Sequence, residues 1–327
     1  MAHELNETNG KVSMMYYGEE PWHGLGQKLD KPATSWEAIE QAGLDFVVDK
    51  RPVFCDLGSD NGTMNMHHIP GKFATVRMDT GAPLGVVGKQ YTVLQNKDAF
   101  GFFDEIVGEG EAIYHTAGAL YKGQKIWILA KLPETMTLKG GDEIEEYLLL
   151  MNSHDGSGAV NVKFTPIRVV CSNTLNMALR SGERGVKVRH TAGMTTNGFT
   201  DIRETLGLIK NSFRQVQGVY NTLALSGITQ KWFTEYLDGL FPINKKAKFA
   251  TRQENIRLKV TELFQGAGKG ADLPSARGTK WGAYNAVTEY VDYWRATKGN
   301  GDNRLNSVWL GSGEKIKQKA LDLALSA

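Results

Sequence analysis

Cysteine is scarce: Cys55 and Cys171 are the two among 327 residues, too few for a disulfide framework. Long apolar runs are missing as well. Pieces such as "EYLLLM" fall far short of the roughly 20 residues a membrane-spanning helix needs, which argues against a membrane role. The opening "MAHELNETNG" has no basic-then-apolar leader pattern, so the cytoplasm is the expected compartment. Metal and cofactor signatures are equally thin. The seven histidines, at 3, 23, 67, 68, 115, 154 and 190, form no i,i+4 pair and meet no CxxC, so no metal site is expected. Lys269 lies in "GAGKGADLPS", but Gly270 stands where a phosphate loop needs Ser or Thr, and no strand precedes it. "GLG" at 24–26 lacks the third glycine of a dinucleotide fingerprint. The sequence implies no cofactor.

What is present is an ordinary globular composition, 41% hydrophobic and 23% charged, long enough for two domains. The net charge of +2 conceals an imbalance. Residues 1–158 hold 13 Lys and Arg against 23 Asp and Glu, a balance of −10, and residues 159–327 hold 25 against 13, or +12. Such opposition points either to a polyanion partner for the basic half or to acidic-to-basic contact between domains or subunits.

Periodicity divides the chain. "SWEAIEQAGL" (35–44) predicts a helix capped by Ser35, and "FVVDKRPVFC" (46–55) a strand. Residues 72–94 predict a hairpin turning at Asp79–Gly81, and 96–108 a helix ending at Gly108. Residues 112–132 give two strands about Lys122–Gly123; 144–153 and 159–165 give two more about Asp155–Gly156. Beyond residue 200 the spacing is helical, over 201–225, 229–241, 251–265, 279–298 and 312–325. The expected fold is α+β: an antiparallel sheet with helices over 1–195, then a helical domain over 200–327. Residues 182–199 read as a linker and 266–278 as a flexible loop. "MMYYGEEPWHGLGQ" (14–27) has no period and reads as an arm.

"HDGSGAVNVKFTPIRVVCSNTL" (154–175) places His154, Asp155 and Ser157 within four positions. The frame around Ser157 misses the G-x-S-x-G of a hydrolase elbow, whereas Asp155–Gly156 is what a hairpin turn requires. The turn is the expected role. Carboxylates such as Asp104 and Glu105, or Glu143, Glu145 and Glu146, are the residues a metal-dependent nuclease would use. No catalytic residue is assigned.

Basic clusters carry more. Lys163, Arg168, Arg180, Arg184, Lys187 and Arg189 face the single acid Glu183, and Lys245, Lys246, Lys248, Arg252, Arg257 and Lys259 face Glu254. Together they would track a phosphate backbone. Trp281, Tyr284, Val287, Val291 and Trp294 recur at helical spacing and read as a buried face rather than a base-stacking row.

"PWHGLGQKLDKPATSWEAIEQAGLDF", "HDGSGAVNVKFTPIRVVCSNTL" and "WGAYNAVTEYVDYW" together resemble the laterally transferred phage/plasmid-like protein family, a family of unknown function. The likeness runs from about residue 17 to the C-terminus and implies a mobile element in a bacterial cytoplasm. It supplies no catalytic residues. The order of elements is also similar to phage single-strand annealing recombinases, by analogy of arrangement alone. On this reading the protein is a non-enzymatic single-stranded-DNA-binding or annealing protein, assembled as a ring or filament of identical subunits. Lys163, Arg168, Arg180, Arg184, Lys187 and Arg189 would contact phosphate, with Lys245, Lys246 and Lys248 as a second wall. The alternative is an assembly factor whose acidic and basic halves meet between subunits.

Overall fold

The structure is a computed structural model that describes residues 5–8, 10–18, 24–58, 62–107, 113–168, 173–174, 185–192, 216–243, 250–296, 304–309 and 311–326. The chain is α+β, with strands in its first part and helices toward its C-terminus. The strands are β1 (Glu7–Thr8), β2 (Lys11–Val12), β3 (Met14–Tyr17), β4 (Gln27–Leu29), β5 (Val48–Asp56), β6 (Met66–Arg77) and β7 (Pro83–Gly88). They continue with β8 (Ile113–Leu120), β9 (Lys125–Thr137), β10 (Glu143–Ser153), β11 (Val160–Arg168), β12 (Asn173–Thr174) and β13 (Gly185–Val188). The main sheet runs β12-β11-β10-β9-β8-β3-β4, with β13 beside β11. Strands β5, β6 and β7 form a separate antiparallel sheet. The main sheet departs from the expected antiparallel pattern at one edge, where β3 and β4 pair in parallel. Met14, Met15 and Tyr16 are buried between β8 and β4, so this segment is an inner strand and not the arm its aromatic, aperiodic sequence suggested.

Helix α1 (Ser35–Gln41) begins one residue earlier than read from sequence. Thr34, not Ser35, is the cap: its hydroxyl accepts from the Glu37 amide and Glu37 accepts from the Thr34 amide, a capping box. Helix α2 (Asn96–Val107) matches its expected span. The helical part comprises α3 (216–225), α4 (Gln230–Leu240), α5 (Ala250–Glu262), α6 (Lys280–Glu289), α7 (Arg304–Trp309) and α8 (Ser312–Ser326). The aromatic stripe holds in part. Trp281, Tyr284, Val287 and Val291 are buried, but Trp294 is exposed and Tyr290, off the stripe in sequence, is buried. Every residue from Trp281 to Asp292 is buried, so Tyr290 is covered with the rest of the helix, and Trp294 closes the π-helical turn over Tyr290–Trp294 at the exposed end.

The chain forms two compact units that interleave in sequence. One comprises residues 1–133, 148–163 and 185–208, and the other 134–147, 164–184 and 209–327; β9, β10 and β11 each contribute residues to both. The first unit buries Met15, Leu44, Leu84, Trp127, Leu148, Val160 and Val162. In the second, the turn after β9 is tied to α6, because the indole N–H of Trp281 donates to the buried Asp142 carboxylate at 2.8 Å. The loop over 266–278, expected to be flexible, is pinned: the Lys269 amide donates to Glu289, and a Cβ at Gly282 would overlap the Ala276 carbonyl oxygen.

Candidate functional site

The β10–β11 connection is the turn its Asp-Gly pair predicts. Gly156 takes φ +75°, and Asp155 Oδ1 accepts from the Ser157 amide at 2.8 Å and from the Ser153 hydroxyl. Partial burial alone would raise the Asp155 carboxyl. The hydrogen bonds from Ser153 and Ser157, with Lys125 nearby, hold it below its ordinary value instead.

His154 turns away from that serine into the first unit. Its amide donates to Gln124 O at 2.7 Å, and its ring Nε2 lies 2.9 Å from Asn96 Oδ1 and 3.5 Å from Asn152 Nδ2. Asn96 in turn donates to Leu44 O and Asn152 to Leu94 O, which fixes both amides. Complete burial pushes the His154 ring down to about 3, with the neighbouring His190 adding to the effect. The ring is therefore neutral at ordinary pH and pins the turn from beneath. Of the other acids considered, Asp104 accepts the Tyr114 hydroxyl at 2.6 Å, Glu145 accepts the Tyr147 hydroxyl at 2.8 Å, and Glu146 is fully buried.

The residues expected to bind phosphate fall into three groups. Lys163, Lys187 and Arg189 come together. Strand β11 pairs β13 with Asn161 opposite Lys187 and Lys163 opposite Gly185. Paired residues share a face and alternate along each strand, so Asn161, Lys163 and Lys187 lie on one side, and Val160, Val162, Val186 and Val188 on the other; Arg189 directly follows the last strand residue. Val160 and Val162 are buried, whereas Lys187 and Arg189 are exposed and meet no acidic partner among the described residues. Lys163 is half-buried and already engaged. Arg168 ends β11 opposite Asn173 of β12, in the second unit. Arg180, Arg184, Lys245, Lys246 and Lys248 lie outside the described residues. The cations that follow on α5 are partly consumed: Arg257 pairs with Asp238 at 2.6 Å, and Lys259 pairs with Glu262 while lying over the Trp294 ring.

Part of the stretch read as a linker, 182–199, is thus strand β13. Its period of two is only four residues long, and the edge it needed belongs to a strand about 25 positions earlier. Immediately after β13 the chain is clamped. His190 Nδ1 lies 3.0 Å from Thr92 O, the Thr92 amide donates to His190 O at 2.9 Å, and the Tyr91 ring stacks on the imidazole at 4.5 Å. The Tyr91 hydroxyl reaches Ser153 O at 2.7 Å, so one aromatic pair ties the basic strand to the base of the turn. Burial lowers His190 and raises Tyr91 away from neutrality. Tyr91, Thr92, Asn96, Asn152 and His190 were not singled out by sequence, and only the position of His190 beside the basic run hinted at them.

The class this arrangement defines is an α+β protein with a basic strand pair supported by a buried polar network. Residues 83–309 match the family described as a domain of unknown function, DUF932, and the chain belongs to that family. No curated protein and no solved structure matches the chain. No described helix is long and apolar enough to cross a membrane.

Proposed function

We propose that the protein binds single-stranded DNA through phosphate contacts on the outer face of the β11–β13 pair, and acts non-enzymatically in annealing, recombination or replication of a phage or plasmid. The observation that carries this reading is the exposure of Lys187 on β13 and of Arg189 just after it, with no acid among the described residues to neutralise them, beside Lys163. Each of these two cations can neutralise a separate phosphate. The +12 balance of residues 159–327 supports it, because sequence-independent affinity for nucleic acid is electrostatic in origin. The resemblance to a mobile-element family supplies the setting, the cytoplasm of a bacterial host. Subunits aligned in a ring or filament would extend the face along a strand, with Arg168, Arg180, Arg184, Lys245, Lys246 and Lys248 as further contacts.

The test is the charge-reversed double variant Lys187→Glu/Arg189→Glu in a mobility-shift assay on single-stranded oligonucleotide. Loss of the shift, with an unchanged circular dichroism spectrum, is expected. A folded variant that binds like the parent chain refutes the assignment.

A further inference from the structure

Three cations lie on α5, and acids match two of them. Arg257 pairs with Asp238 at 2.6 Å and Lys259 with Glu262 at 3.1 Å. Arg252, exposed on the first turn of the helix, has no acidic partner among the described residues. Glu254, two positions on, stands about 200° round the helix from it. A second unmatched guanidinium belongs to Arg295, which follows the π-helical turn Tyr290–Trp294 and whose amide donates to Tyr290 O at 2.8 Å. Its two terminal nitrogens donate to the Ser307 and Ser312 hydroxyls, each at 3.0 Å, and to no acid among the described residues. The acids of the neighbouring elements are directed elsewhere: Asp292 is bonded to the buried Lys317 at 3.0 Å, and Glu314 acts on the same ammonium.

Partial burial depresses the Arg295 guanidinium, and the like charge of Arg252 depresses it further, so the two cations lie within electrostatic reach of each other. Both also act on the Tyr290 hydroxyl. Tyr290 is 7% exposed, its ring set edge-on to Phe241, and its hydroxyl has no hydrogen-bond partner among the described residues. Burial raises this phenol above its ordinary value, so it stays protonated and able to donate. Ser312 opens α8, a helix of 15 residues whose N-terminal end adds partial positive charge. The Ser312 oxygen accepts from Arg295, which leaves its own O–H to donate outward.

We propose that Arg252, Tyr290, Arg295 and Ser312 bind a phosphate dianion, either inorganic phosphate or the terminal group of a phosphate monoester. Two like charges held together beside a buried phenol repel one another in the free chain, and an anion between them turns that repulsion into attraction. Charge selects the dianion: a phosphate monoester carries nearly two negative charges at neutral pH, one for each guanidinium. A carboxylate or a phosphodiester carries one and leaves a cation unmatched. Shape agrees, because donors from α5, the π-helical turn and its following residue, and α8 suit a tetrahedral anion better than a planar one, which a single guanidinium fork satisfies. The site prefers a charge state that a nucleic-acid backbone lacks, so it does not rest on the binding proposed for the β11–β13 pair.

The test is isothermal titration calorimetry of the full chain at constant ionic strength and about pH 8, where a phosphate monoester is a dianion. Inorganic phosphate, thymidine 5′-monophosphate and the diester dimethyl phosphate are titrated in turn. Saturable binding of inorganic phosphate is expected, with dimethyl phosphate weaker by about tenfold or more. The nucleotide separates the two sources: equal or tighter binding supports an ester as the ligand, and its exclusion supports the free ion. Arg252→Gln, at an exposed position, is expected to lower phosphate affinity about tenfold or more, and Tyr290→Phe, which removes one oxygen, severalfold, both with unchanged circular dichroism. Arg257→Gln removes an equal charge from the same helix at a paired position and is expected to leave the affinity as it is. No saturable phosphate binding, a diester bound as tightly as the dianion, a folded Arg252→Gln or Tyr290→Phe chain that binds like the parent, or an equal loss in Arg257→Gln overturns the proposal.

Discussion

Replacement of His154 by Gln tests the buried network that supports the β10–β11 turn. The Gln side-chain amide can still reach Asn96, but it cannot take up a proton. In the folded protein the His154 ring is held down to about 3, against 6.5 in an open chain. Between those values the unfolded state binds a proton that the folded state refuses. Stability from this residue is therefore fully present above about pH 6.5 and is lost as pH falls toward 3. The slope is about 1.4 kcal/mol per pH unit, or about 3 kcal/mol between pH 6 and pH 4. Burial depresses His190 as well, with the same sign. Asp155, also depressed, loses its contribution only below its ordinary value of 3.8. Urea unfolding followed by circular dichroism at pH 6, 5 and 4 isolates the His154 share as the difference between parent and variant. The variant is expected to be the less stable at pH 6 and to gain about 3 kcal/mol on the parent by pH 4. A gap that stays constant across this range refutes the reasoning, because it would mean that His154 titrates alike in both states.

Other consequences concern the second unit. Gly282→Ala raises helix propensity by up to about 1 kcal/mol, but its methyl would overlap the Ala276 carbonyl oxygen, so a net loss of about 1–2 kcal/mol is expected as a lower urea midpoint. Lys317, 1% exposed, meets Asp292, 6% exposed, at 3.0 Å. Lys317→Met strands that carboxylate and is expected to cost about 3 kcal/mol or more in thermal or urea unfolding. Pairing it with Asp292→Leu should recover much of the loss, and a purely additive double variant would show that the pair is not coupled.

What the sequence revealed depended on how local the cause was. The β10–β11 hairpin was legible because Asp155–Gly156 encodes its own turn, and α2 and α4 because their apolar spacing needs no partner to be read. Strand β13 was hidden by its four-residue length and by glycine and arginine around it, and became a strand only through the edge of β11. Tyr290 was missed because a stripe at helical spacing marks one face, whereas the helix is buried on every side from Trp281 to Asp292. The polar network was the least accessible feature. Its bonds join residues 58 and 98 positions apart, His154 to Asn96 and His190 to Thr92, and no local pattern records such pairings. The basic run was legible as composition. That Lys163 and Lys187 share one face required the β11–β13 register.

The most direct test of nucleic-acid binding is fluorescence anisotropy of the full chain on labelled single-stranded and duplex DNA across a salt series. Tight single-strand binding is expected, with log affinity falling linearly in log salt by about 0.7 per neutralised phosphate. Lys187→Ala/Arg189→Ala should flatten that slope by about 1.4. Absence of single-strand binding at low salt, or affinity indifferent to salt, would contradict the account.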